Sequence, residues 1–311
     1  MPDQPNGYSS IFQQDRISIG LVLPARETNS PDIDFQQQLE AARLADSLGF
    51  AAVWVRDVPL NGPWYPENFG HPDPFVMLGA IAAATSRISI GTAATVLTLR
   101  HPLHVAKAAI SLDHLSGGRF VLGLGSGDRR EEFVAFGKDS EDRRDLFRDN
   151  WQVLSSAIER PLQIQTDSIS GHPGFEMRPP PFSDIPMIAI GSAGQSLNWI
   201  ARNASGWATY HRPPEVQRDR HALWRQAVSN SADGAFRSFS VAIRIELTEK
   251  PFMPAEPIDL GYRVGSRQLP EVIEALRANG VHHLMLNLLP NGDDPSSQLE
   301  ALAHDVLPSF A

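Results

Sequence analysis

The chain has 311 residues, of which 42% are hydrophobic, with no cysteine and a formal net charge of −9. The acidic balance and the lack of a long basic stripe argue against nucleic acid and anionic membrane surfaces as partners, and no window reaches the roughly 18 consecutive apolar residues of a membrane span. Without cysteine there is no disulfide, thiolate metal site or cysteine nucleophile, a composition that fits a reducing cytoplasm.

Residues 1–16, MPDQPNGYSSIFQQDR, carry neither a basic start nor an apolar stretch, so they read as a floppy polar lead-in and not as a signal peptide. Strand one follows from Ile17 to Leu23. A helix from Asp34 to Leu48 has Asp34 as its cap, Gln37 at the reciprocal capping position and Gly49 as its stop. Strand two, Ala51 to Val55, opens into a loop from Arg56 to Pro72 that is rich in proline, glycine and aromatics (Trp64, Tyr65, Phe69). It exceeds an ordinary connection, so it is either a functional lid or poorly ordered, and its aromatics point to an apolar or aromatic small molecule. A second helix spans Asp73 to Ser86.

The stretch from Ile88 to Phe133 is the most informative. An apolar run ends at Leu97, a helix opens on Pro102 and stops at Gly117 and Gly118, and a second apolar run covers Phe120 to Leu124. Both runs are apolar at consecutive positions, as in strands covered on both faces of a parallel sheet. An amphipathic helix covers Asp142 to Ile158, and Gln163 to Arg178 alternates around a turn containing glycine and proline, as an inserted hairpin does. Strand five is Met187 to Ile190 and strand six Trp207 to Tyr210, followed by a helix from Pro214 to Val228. Strand seven is Phe239 to Leu247, and a proline-rich loop leads to the helix Pro270 to Ala278. Strand eight is His283 to Leu288, before a last helix from Gln298 to Val306. Eight strands alternating with helices, without a linker-like change in composition, predict one α/β domain over 17–311: a (β/α)8 TIM barrel with an inserted hairpin or loop region. The rival is an open doubly wound sheet.

Four segments at strand ends carry candidate chemistry. Gly191-Ser192-Ala193-Gly194-Gln195-Ser196 opens a helix, so its amides suit a phosphate, or else form a plain glycine–serine turn. Gly123-Leu124-Gly125-Ser126-Gly127-Asp128 is not a dinucleotide fingerprint, because Asp128 stands where the third glycine would be. The charge run Arg129 to Glu132 after it has the composition of a solvated face, although it begins at the rim. Gly91-Thr92-Ala93-Ala94-Thr95 is a backbone platform for a planar ring or simply a small-residue strand end. Asp57, after Arg56, is an acid, a base or an acceptor, or else a partner for Arg56. His101 and His104 have metal-compatible spacing, yet no carboxylate completes a set, so capping or core roles are preferred and no metal is expected. One of His282 and His283 must point inward or sideways. A serine-hydrolase elbow is missing.

Together these residues resemble the bacterial luciferase family of flavin-dependent oxidoreductases, the luciferase-like monooxygenases. The likeness rests on GFAAVWVRD (Gly49 to Asp57), GTAATVLTLRHP (Gly91 to Pro102), SLDHLSGGRFVLGLGSGDRREEFVAFG (Ser111 to Gly137) and PMIAIGSAGQSLNWIARNASGW (Pro186 to Trp207). It implies a TIM barrel, often a homodimer, that binds FMN or a deazaflavin at the C-terminal rim. A non-proline cis peptide at Ala93–Ala94 would lie against the ring. Gly125, Ser126, Gly127 and Asp128 would flank the flavin, and Gly191 to Ser196 would cradle its phosphate. The activity implied is a monooxygenase that takes reduced FMN from a separate flavin reductase and uses oxygen on a small-molecule substrate, with Asp57 and Asp128 as polar contacts. The alternatives are a deazaflavin hydride transferase and a flavin-binding protein without turnover. Two departures stand out. Val58 replaces a histidine of the light-emitting members, which argues against luminescence. Ser126 replaces an arginine that helps hold the phosphate, a loss for which Arg129 or Arg130 are the candidates to compensate.

Overall fold

The computed structural model describes residues 7–65, 67–164, 174–232 and 234–310. Eight parallel strands alternate with helices: β1 (Ser18–Leu23), β2 (Ala52–Val55), β3 (Ser89–Thr92, resuming at Thr95–Val96), β4 (Phe120–Gly125), β5 (Met187–Ile190), β6 (Gly206–Tyr210), β7 (Ser238–Leu247) and β8 (His283–Leu288). Each pairs with its sequence neighbour, and β8 pairs in parallel with both β7 and β1, so the sheet closes into a TIM barrel. That double pairing is what an open doubly wound sheet lacks.

Consecutive apolar residues produce two cores, because side chains alternate across a strand. Val53, Val55, Phe120 and Leu122 face the helical ring, while Trp54, Val121, Ile188 and Met285 fill the lower barrel. The inward positions higher on β3 and β4 are small. A Cβ at Gly91 would meet the Trp54 ring at 2.4 Å, and one at Gly123 would meet Thr92 O at 2.0 Å. Side chains are therefore excluded there, and the neighbouring backbones stay close.

The helix ends follow the local signals. Asp34 caps Phe35–Leu48 by accepting from Gln36 N and Gln37 N, Asp73 caps Pro74–Ala84, and His101 caps Pro102–Ser116. Three features differ from expectation. Gly7–Ile11 is a helix, not a floppy lead-in: Ile11 and Phe12 are buried on the inner core, and the Tyr8 hydroxyl donates to Ser205 O, closing the N-terminal end of the barrel. The proline-rich loop after β7 contains two short strands, Glu256–Ile258 and Gly261–Val264, the second pairing with β7. The charge run after β4 is a short helix, Arg130–Ala135, with Glu132 and Phe133 buried. Of the inserted hairpin, only the Ile164–Phe175 bridge belongs to the described residues; 165–173 lie outside them.

Candidate active site

The C-terminal ends of β2, β3, β4 and β5 converge on a cavity of about 290 Å³. Its wall includes Asp57 from β2, Ala93 and Ala94 from the break in β3, Gly125, Ser126, Gly127 and Asp128 after β4, and Gly191 and Ala193 after β5. The Ala93–Ala94 peptide is cis. A Cβ built on Gly125 would lie 3.2 Å from the Ala94 Cβ, so glycine keeps this wall low.

Asp57 is already engaged. Its Oδ2 accepts from Val96 N at 3.0 Å and Arg100 Nε at 2.8 Å, and its Oδ1 accepts from Arg100 Nη2 at 2.7 Å. With its side chain only 2% exposed, Asp57 fastens β3 just beyond the cis peptide and is not a free acid or base. Asp128 is the opposite case: it is exposed and, among the described residues, has no hydrogen bond or ion pair.

The segment Gly191 to Ser196 divides by function. Gly191, Ala193 and Gly194 have φ of 69°, 49° and 72°, which turns the chain tightly. Some of its amides are engaged: Gly191 N donates to Ala208 O, Gly194 N to Ser192 Oγ and Gln195 N to Ser192 O. The amides of Ser192 and Ala193 have no acceptor among the described residues. Ser192, Gly194, Gln195 and Ser196 are not on the cavity wall. Ser196 caps the helix Leu197–Asn203 through Trp199 N. Gln195 is buried, accepts from Arg148 Nε and Nη2, and donates to Arg144 O. The Arg144 stem packs on Gly194, within 3.0 Å of where its Cβ would be. These two arginines, four residues apart on the helix Arg143–Glu159, escaped the sequence reading. Only the i,i+4 spacing on an amphipathic helix hinted at them. Of the expected compensators, Arg129 lines the cavity and reaches Leu60 O, and Arg130 pairs with Glu141.

A second chamber of about 330 Å³ adjoins the first, sharing Arg56, Glu67, Asp128, Arg129 and Tyr210 and adding Arg244 and Asn287. Charged side chains line it together with Ala242, Ile243 and Leu260. Trp64 is 63% exposed, and Phe69 is buried beneath Arg26, whose guanidinium is 3.7 Å from its ring centroid. Only Tyr65 of the three reaches the chamber.

The loop from Arg56 to Pro72 is tied down by charge. Glu67 accepts from Arg56 Nη1 at 2.8 Å and Arg244 Nη2 at 3.1 Å. Burial opposes the charge on Glu67, but the two cations outweigh it and hold the pKa below the usual carboxylate range. Burial, then the Arg56 cation, lower the His71 pKa to about 3. The neutral ring accepts from Arg56 Nη2 at Nε2 and donates from Nδ1 to Phe69 O. A groove of about 1010 Å³ between the helices Pro102–Ser116 and Arg143–Glu159 is larger but lies outside the barrel mouth. In parallel barrels the strand ends, not the helical flank, carry the chemistry. No cluster of three or more metal-ligating side chains occurs among the described residues, and no helix among them is long and apolar enough to cross a membrane.

Known proteins share this architecture. A monooxygenase from Streptomyces bottropensis superposes with a TM-score of 0.77 at 19% identity, covering 95% of this chain and all of that one. The 4-hydroxyprotoasukamycin monooxygenase of Streptomyces nodosus subsp. asukaensis is 29% identical over 230 residues, 70% of this chain and 60% of that protein. An F420-dependent glucose-6-phosphate dehydrogenase of Amycolatopsis mediterranei is 34% identical over 110 residues, 35% of this chain and 32% of that one. The family model for luciferase-like monooxygenases matches residues 17–248, from β1 to the end of β7. A match over most of a closed barrel, beside a rim built from small residues, makes the chain an oxidoreductase belonging to the luciferase-like monooxygenase family.

Proposed function

We propose that the chain is the oxygenase of a two-component monooxygenase, using reduced FMN from a separate flavin reductase and O2 to oxidise a small organic molecule. The observation that carries this reading is the low wall of Ala93, Ala94, Gly125, Ser126 and Gly127, contributed by two adjacent strands at the barrel mouth. A planar ring fits against such a wall because no side chain longer than a hydroxymethyl projects from it. The amides of Ser192 and Ala193, without acceptors among the described residues, suit the phosphate. Arg144 and Arg148 bring the positive charge that Ser126 does not supply. When bound, the flavin supplies the redox chemistry, and the protein supplies orientation and exclusion of water. Asp57 keeps the wall in place through Val96 N. Asp128, where the two cavities meet, contacts flavin or substrate, and the tied-down loop covers the second chamber. From the family's habits we also place the chain in the cytoplasm as a homodimer.

The second reading, hydride transfer with a deazaflavin, is favoured by the F420-dependent relative. Fluorescence titration of the purified protein with FMN, reduced FMN and deazaflavin separates the two. Micromolar binding that prefers reduced FMN supports the first reading, and preference for deazaflavin supports the second. No binding of any of them removes both. The double variant Arg144→Glu/Arg148→Glu should weaken FMN by about tenfold or more, a loss of about 1.4 kcal/mol. Riboflavin, which has no phosphate, should be unaffected; an equal loss for both would place the phosphate elsewhere.

A further inference from the structure

The Arg129–Glu132 segment clasps the loop over the cavity. Arg129 Nη1 donates to Leu60 O at 3.2 Å, its guanidinium lies 4.3 Å from the Tyr65 ring centroid, and the Tyr65 hydroxyl donates to Glu131 at 2.7 Å. Glu132 lies beneath this clasp in the wall of the first cavity and is 4% exposed. Its Oε1 is buried with no hydrogen-bond partner among the described residues. Arg129 Nη1 is 3.7 Å from it, beyond hydrogen-bonding range. An ionised carboxylate with a bare, desolvated oxygen is costly, whereas a protonated one is not.

We propose that Glu132 is the acid–base group of this cavity: it carries a proton in the resting protein and exchanges it with the ligand held there. In the forward step its O–H bond breaks and the proton passes to a basic atom of the ligand. The carboxylate left behind is stabilised by the Leu60 N–H and the Arg129 cation, and the returning proton restores the resting form. The surrounding charges agree. Burial raises the Glu132 pKa; Arg129 and the Leu60 amide act against this, while Asp128 on its own turn and Asp57 at the end of β2 add to it. The resting protonation does not depend on which flavin binds, so it goes beyond the cofactor assignment.

The test is a carbon-13 NMR titration of the full-length protein labelled at glutamate side-chain carboxyls. One resonance, absent in Glu132→Gln, should titrate above the other glutamates and still be protonated at the pH of the resting protein. Arg129→Met should raise that midpoint and Asp128→Asn should lower it, so the resonance can be identified even if Glu132→Gln does not fold. Added FMN should displace the Glu132 midpoint and leave exposed glutamates unchanged. Titration together with the other glutamates, or a midpoint indifferent to both neighbours, overturns the proposal. A midpoint unmoved by FMN that demonstrably binds overturns the exchange step. If FMN does not bind, the flavin assignment fails, and the titration of the free protein still decides whether Glu132 holds a proton.

Discussion

At the scale of single residues, identical chemical groups receive different roles from their surroundings. Asp57, Asp128 and Glu132 border one cavity. Asp57 is spent on Arg100 and Val96 N, Asp128 faces solvent, and Glu132 is buried with a bare oxygen. Asp57→Asn keeps the shape but removes the charge opposite Arg100, whose guanidinium retains Asp73 and is 29% exposed. The expected cost is about 2–3 kcal/mol, below the full value for breaking a buried pair. Urea denaturation measures it, and a loss below about 0.5 kcal/mol would show that the bracing is weak. The sequence marked Asp57 as chemically interesting because it ends a buried strand. It could not reveal Arg100 as its partner, because a distance of 43 residues along the chain carries no local signal.

At the scale of elements, the long loop after β2 is held by side chains and not by secondary structure. Glu67 joins Arg56 at its start to Arg244 on β7, tying the loop across the barrel mouth. Glu67→Ala removes both charged hydrogen bonds. With Glu67 partly exposed, solvent screening limits the loss to about 1–2 kcal/mol. Local opening should then rise about 5–30-fold, read as faster hydrogen exchange at the non-proline amides of 60–65 and 67–71. Unchanged exchange would mean that the Phe69 and Arg26 packing holds the loop alone. The sequence showed that this loop was too long for a plain connection, but not which of its aromatics reaches the chamber. Trp64 faces solvent and Phe69 packs away from the chamber, an orientation that composition does not encode. The helix Arg130–Ala135 was hidden for a related reason: four consecutive charges have the composition of a solvated face, and only tertiary contact shows Glu132 buried beneath the loop.

At the scale of the whole molecule, the barrel floor is a polar knot inside an apolar core. His283 is fully buried; its Nε2 accepts from Trp54 Nε1 at 2.9 Å, and its Nδ1 bonds the Ser18 hydroxyl, which donates in turn to Ile11 O. Burial lowers the His283 pKa to about 3, and burial with Arg212 lowers that of His211 to about 4. Both folded-state values lie below the ordinary 6.5, so the unfolded chain binds protons that the folded chain refuses. Their stability contribution is complete above about pH 6.5 and falls as pH drops towards 3–4, by up to about 1.4 kcal/mol per pH unit for each histidine. Denaturation measured at pH 7.5 and 5.5 should show the loss, and His283→Gln, though less stable at pH 7.5, should show a shallower slope. Equal slopes would mean that His283 titrates normally. By itself, the sequence determined the alternation of eight strands with helices, the caps that bound the helices and the small residues at the ends of β3, β4 and β5. All of these are set by the periodicity, size and backbone preference of neighbouring residues. Only the tertiary structure decided that β8 closes on β1, that the lead-in helix plugs the floor, that Arg144 and Arg148 flank the turn after β5 and that Glu132 is buried. Each of these joins positions far apart in the chain, and their partners are fixed by closure of the barrel, not by any local pattern.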